Sequence, residues 1–198
     1  KARRTLLPFQ NSRFQPAWRK IEEVLASGQL GRLLQARINF SGFARRWDWQ
    51  AVQEYWGGNL NNTGPHPLDQ GVVLFGKETP KVFAHLRSVN PFGDADNLVA
   101  VTLHGPKSPL VELAVSSFQA YPQGEMYNLG CECGGLTGGL TALKWKYFDP
   151  EAAPPQQPFA GGWSPGLRGY CGEKLEWKEE SWAAPEGIDL FQATSKAF

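Results

Sequence analysis

At 198 residues the chain is long enough for one well-formed core or, at most, two small ones. Twenty basic against nineteen acidic residues leave a net charge of +1 with no basic stripe, so nucleic acid is not expected as a partner, and 41% hydrophobic with 20% charged residues argues against disorder. No apolar run reaches the roughly 20 residues of a membrane-spanning helix, and three cysteines point to a reducing cytoplasm rather than a disulfide framework.

Thr5 to Gln10 reads as a short strand. Pro16 suits a first helical turn, and the segment AWRKIEEVLASG follows with Trp18, Ile21, Val24 and Leu25 at helical spacing and Gly28 as a stop. LLQARINFSGF alternates as a strand, placing Leu34, Ala36, Ile38 and Phe40 on one face. RRWDWQAVQEYW, residues 45–56, has no clean period and predicts a loop or irregular helical turn. PLDQGVVLFG predicts a short buried helix with Leu68, Val72 and Phe75 on one side.

KVFAHLRSV, NLVAVTLHG and LVELAVSSFQAY read as three strands. MYNLGCECGGLTGGLTALKWKYFD reads as a strand, a glycine turn and another strand. EAAPPQQPFAGGWSPG is a proline-glycine loop, and EKLEWKEESW an outer strand. IDLFQATSKAF starts a further helix and stops in mid-pattern, so the expectation is a single domain over 1–198, truncated at both ends.

Strands in succession without long intervening helices pair antiparallel. The expected class is α+β: a large, mostly antiparallel open sheet with helices packed on one face. The other face must be covered or form an interface, and several of the eight tryptophans are expected there.

The order of motifs resembles the C-terminal domain of the Gfo/Idh/MocA oxidoreductases. Arg13-Phe14-Gln15-Pro16, a helix and the Gly28-Gln29-Leu30-Gly31 turn resemble that domain's opening. Gly57, Gly58, Leu60, Asn62, Gly64, His66 and Asp69 match the family pattern Gly-Gly-x-Leu-x-Asp-x-Gly-x-His-x-x-Asp in register, except that Asn62 replaces Asp. Gly130 to Asp149 is similar to the family's strand, Gly-Gly turn and strand. The resemblance implies a substrate-binding and oligomerisation domain, forming dimers or tetramers through its sheet face. It also implies NAD or NADP bound mainly by an upstream Rossmann domain. The 198 residues contain neither a Gly-x-Gly-x-x-Gly after a strand nor the family's Glu-Lys-Pro, so this polypeptide alone is expected to be inactive.

On this reading the substrate is a small carbohydrate, inositol or related polyol. His66 takes the hydroxyl proton, with Pro65 and Pro67 restricting the backbone so that the ring faces an open cavity; a core or capping histidine is the plain alternative. Asn62 positions substrate by hydrogen bonds, because an amide cannot take a proton. Arg13, with Asn11 beside it, binds a sugar hydroxyl or carboxylate, or else forms an internal ion pair. Asp69 shares a helix face with His66, as a site residue or a capping or salt-bridge group. Trp47, Trp49, Tyr55 and Trp56 stack on a sugar ring or pack as core or lid, Trp56 being the favoured ring. Cys131-Glu132-Cys133 lacks a second ligand pair and reads as strand rather than a zinc site, so no metal is expected; the glycines of 134–139 read as a hairpin turn. Two rivals stand beside the dehydrogenase: an NAD-dependent glycosidase of the same family, and a non-catalytic sugar-binding or structural module.

Overall fold

The structure, a computed structural model, describes residues 9–121, 124–158 and 172–187. A 3-10 turn at Asn11–Phe14 precedes helix α1, Pro16–Ala26, then strand β1, Leu33–Asn39. Two further 3-10 turns, Trp49–Ala51 and Gln53–Tyr55, lead into helix α2, Asn59–Asn62, and helix α3, Pro65–Phe75. The remaining elements are strands: β2 Lys81–Arg87, β3 Leu98–His104, β4 Leu110–Ser116, β5 Tyr127–Cys131, β6 Gly134–Gly138, β7 Ala142–Tyr147 and β8 Lys178–Ala183. The predicted strand at Thr5 to Gln10 and helix at IDLFQATSKAF lie almost wholly outside the described residues, as does half of the proline-glycine loop.

All eight strands form one open sheet in the order β2-β3-β4-β1-β5-β6-β7-β8. Every pair is antiparallel except β1 with β4, which are parallel because α2, α3, β2 and β3 intervene and return the chain in the same direction. The expected α+β class, with a mostly antiparallel open sheet, is what the chain adopts.

The core lies between the sheet and two helices. From α1, Ala17, Trp18, Ile21 and Val24 are buried, and Trp18 meets Tyr127 of β5 with ring centroids 6.3 Å apart. From α3, Gly71 lies against β4: a Cβ there would sit 3.0–3.2 Å from Leu113 and Val111 side-chain atoms, so glycine sets how closely this helix approaches. The sheet contributes Ala36 and Ile38, Val99 to Leu103, Val111 to Val115, Tyr127 and Leu129, Leu136, Leu143 and Trp145, in strand alternation.

Four details depart from the sequence reading. Leu34 is exposed rather than sharing a face with Ala36 and Ile38, because the β1–β5 register shifts between Leu33 and Gln35 and a bulge breaks the parity. Val72 is 52% exposed; the buried stripe of α3 runs through Pro67, Gln70, Gly71 and Phe75, and Val72 lies about 100° round the helix from Gly71. The glycines of 134–138 form strand β6 itself, with hairpins on both sides, because their missing side chains let backbone close in: a Cβ on Gly134 would collide with Lys146 and Tyr147. Of the described tryptophans, three pack into the core rather than on the outer face. Trp18, Trp145 and Trp182 join the core, because large apolar area gains most where two layers meet, and Trp177 packs edge-on to Phe148 beside β7.

Candidate active site

The segment from Trp49 to Asp69 is built around glycine. Backbone carbonyls of Trp49, Gln50 and Val52 converge on Gly57, where a Cβ would lie 2.6–2.7 Å from all three. Gly57 and Gly58 donate to the Val52 and Gln50 carbonyls, and Trp56 is held left-handed at φ 57°, the only non-glycine at positive φ among the described residues. The Asp96 carboxylate accepts from the Leu60 N–H at 2.8 Å, tying α2 to the β2–β3 connection.

Helices α2 and α3 meet at Thr63-Gly64. Pro65 and Pro67 occupy the first turn of α3, where their missing N–H groups have no intrahelical partner to lose. His66 between them is half-buried. Its Nδ1 lies 2.7 Å from Gln10 Oε1, and its Nε2 has no hydrogen bond among the described residues. Burial pushes the His66 pKa below its ordinary value, and the Asp69 carboxylate partly offsets this. The ring is therefore neutral near pH 7, the form able to accept a proton.

Asp69, one turn further along α3, is held by Arg13: Nε and Nη2 of the guanidinium donate to its two carboxylate oxygens, each at 2.7 Å. This ion pair joins the 3-10 turn at Asn11–Phe14 to α3, the arrangement the sequence left open for both residues. Asn11 opens the same turn and is half-buried. The structure thus gathers His66, Asp69 and Arg13 into one cluster and adds Gln10, which sequence reasoning missed.

Asn62 and Trp56 stand apart from that cluster. Asn62 is exposed, and its side-chain amide N–H donates to Gln50 Oε1. Trp56 is 82% exposed and borders a concavity of about 440 Å³ with Asn61, Leu86, Arg87, Asp94 and Asp96. Trp47, Trp49 and Tyr55 are also exposed, so none is core.

His66 does not border the larger concavities. One of about 930 Å³ and one of about 550 Å³ lie along the sheet, lined respectively by residues such as Arg37, Thr102 and Tyr121 and by Thr137, Lys146 and Trp177. None of the three concavities is lined by Pro65, His66 or Asp69. Among the described residues no group of three or more His, Cys, Asp and Glu is placed to hold a metal ion. Cys131 and Cys133 are half-buried, and burial with its neighbours raises the Cys131 thiol to about 11, the unreactive form.

An open antiparallel sheet backed by helices, with a neutral histidine at the head of one of them, defines the chain as an α+β open-sheet domain. The model of the GFO/IDH/MocA C-terminal domain matches residues 18–137, and the chain belongs to that family. It is 33% identical over 76 residues to the Uncharacterized oxidoreductase sll0816 of Synechocystis sp. (strain ATCC 27184 / PCC 6803 / Kazusa), a match covering 36% of this chain and 20% of that protein. Its fold is similar to an oxidoreductase from Bacillus cereus, with TM-score 0.64 and 16% identity over 92% of this chain and 53% of the other. It is also similar to the WlbA dehydrogenase from Bordetella pertussis in complex with NADH and UDP-GlcNAcA, with TM-score 0.59 and 19% identity over 72% of this chain and 47% of that one. At those identities the likeness is one of fold. The chain spans a fifth to a little over half the length of these relatives.

Proposed function

We propose that this chain is the substrate-binding and oligomerisation domain of an NAD(P)-dependent oxidoreductase acting on a hydroxyl of a sugar, inositol or related polyol, with His66 as the group that accepts the hydroxyl proton. The observation that carries this reading is the setting of His66: half-buried, with Nδ1 2.7 Å from Gln10 Oε1 and no hydrogen bond at Nε2 among the described residues, burial holding its pKa below the ordinary value. Family membership and oxidoreductase relatives support the reaction class, and the WlbA complex with NADH and UDP-GlcNAcA supports the cofactor and substrate classes.

Among the described residues the N-termini of the two long helices do not fit a dinucleotide. Helices α1 and α3 both open on proline, which removes N–H groups that a pyrophosphate at a helix N-terminus would use. The nicotinamide, which takes up hydride, therefore belongs to a separate Rossmann domain of the same protein, and closure of that domain over α3 would form the cleft in front of His66. Asn62 and the ring of Trp56 would contact the parts of the substrate that do not react.

The test is turnover by the full-length protein with a nicotinamide cofactor and a panel of sugars and inositols. His66→Ala should lower kcat/KM by about 10²- to 10⁴-fold. A loss under tenfold would overturn the assignment. Stoichiometric NADH formation separates this reading from a glycosidase, which would release its leaving group without net change in NADH.

The outer sheet face supports self-association. Gln35, Arg37 and Glu112 form a linked polar strip on it, flanked by exposed Phe83 and Tyr121. Sedimentation of wild type and Phe83→Asp should show a dimer or tetramer that the variant weakens; a monomeric wild type would rule the interface out.

A further inference from the structure

Gln10 Oε1 lies between two groups of opposite character. It stands 3.4 Å from the Ser12 backbone nitrogen and 2.7 Å from His66 Nδ1. A backbone N–H can only donate, so the side-chain atom facing it is the carbonyl oxygen and not the amide nitrogen. An amide oxygen can only accept. The ring nitrogen beside it must therefore carry the hydrogen, and a neutral imidazole has only one.

We infer that Gln10 is a positioning residue that holds His66 as the Nδ1–H tautomer, so that Nε2 keeps its lone pair and is the nitrogen presented to substrate. Calling Nε2 a base rests on the function proposed above; the tautomer itself does not. When a substrate hydroxyl gives up its proton, the O–H bond breaks, an Nε2–H bond forms and the electron pair stays on oxygen. The positive charge gained by the ring is then met by Gln10 Oε1 and by the nearby Asp69 carboxylate.

A second contact keeps this geometry in place. Gln10 and Arg13 are three residues apart, as are His66 and Asp69, and the two pairs form parallel rungs between the 3-10 turn and α3. Because Arg13 engages both Asp69 oxygens, that carboxylate does not compete for a ring nitrogen. Among the described residues the charged group that acts on the ring is Asp69, on the same helix, itself paired with Arg13 on the facing turn. Among the described residues the Gln10 amide, anchored by Ser12 N–H, is thus the one acceptor that selects the tautomer.

Proton–nitrogen correlation spectra of the histidine rings, recorded on the protein with its full chain at pH 7.5, test this directly. The His66 signals are those lost in His66→Gln. Wild type should show the proton on Nδ1 and a bare Nε2; Gln10→Leu should move the proton to Nε2 in whole or part. Gln10→Glu should keep the proton on Nδ1 and raise the His66 pKa, because a carboxylate replaces the amide oxygen. A wild-type proton on Nε2, or a Leu variant that keeps the Nδ1–H form, would overturn the inference. If Gln10→Leu does not fold, Gln10→Glu decides alone, and an unchanged pKa would overturn it. In the full-length protein Gln10→Leu should lower kcat by about tenfold with KM little changed, with Gln10→Glu recovering turnover at higher pH. Loss of KM instead would mark Gln10 as merely structural. If His66→Ala leaves turnover intact while the spectra hold, the base role fails and the tautomer assignment stands.

Discussion

The Asp69 carboxylate acts on two neighbours at once. It clamps Arg13 and it opposes the effect of burial on His66. Asp69→Asn should therefore lower the His66 pKa further, since the ring would lose a negative charge and keep an unpaired guanidinium nearby; a histidine titration followed by NMR checks the direction. The stability cost should be small, about 0–1 kcal/mol, because Arg13 is largely exposed. His66 itself makes folding pH-dependent. Its folded pKa lies below the unfolded value of about 6.5, so the unfolded chain binds more protons between the two. This contribution is complete above about pH 6.5 and is lost as pH falls toward the folded pKa. Urea midpoints measured at pH 7.5 and 5.5 should differ less in His66→Gln than in wild type.

Two elements carry packing that tolerates little change. Tyr127 on β5 is buried, with its hydroxyl donating to Gln70 Oε1 of α3 at 3.2 Å and its own pKa pushed up to about 12. The Gln70 amide nitrogen already lacks a partner among the described residues. Tyr127→Phe would leave the Gln70 oxygen unpaired as well, at a cost of about 1–3 kcal/mol by denaturant unfolding. Gly57→Ala meets the three carbonyls around which residues 49–58 fold, and should cost about 1–3 kcal/mol while displacing Trp56. Far-ultraviolet circular dichroism should stay near wild type in both, because neither residue sets the sheet order.

The whole molecule is asymmetric about its sheet: one face is closed by α1 and α3, and the other presents polar and aromatic side chains to its surroundings. The cluster of Gln10, Arg13, His66 and Asp69 lies on the helical layer, where the 3-10 turn packs on α3. A cofactor domain closing over that layer and a second copy meeting the open face would use different surfaces, so the two proposals can fail separately. If the nicotinamide belongs to another domain, calorimetry on these 198 residues alone should show no NADH binding; micromolar binding would contradict the assignment.

How much of this was legible beforehand depends on how far apart in sequence the interacting groups lie. Periodicity located α1, α3 and the strands of the sheet, because 3.6- and 2-residue repeats are local properties of the chain. The ordered motif from Gly57 to Asp69 carried the family and singled out His66. Local pattern misread β6 as a turn, since glycine marks turns and close strand contacts alike, and it misplaced Leu34, since a bulge is a relation between two strands. Gln10 carried no signal of its own, for its role exists only once the segment around it packs on α3, 56 residues away. Composition and spacing by themselves determined the α+β class, and the ordered motif singled out His66 as the candidate for proton transfer. That Gln10 meets Nδ1 of that histidine, and that Arg13 holds the Asp69 carboxylate beside it, only the tertiary structure decided, because a hydrogen bond requires atoms within about 3 Å and sequence separation does not report distance.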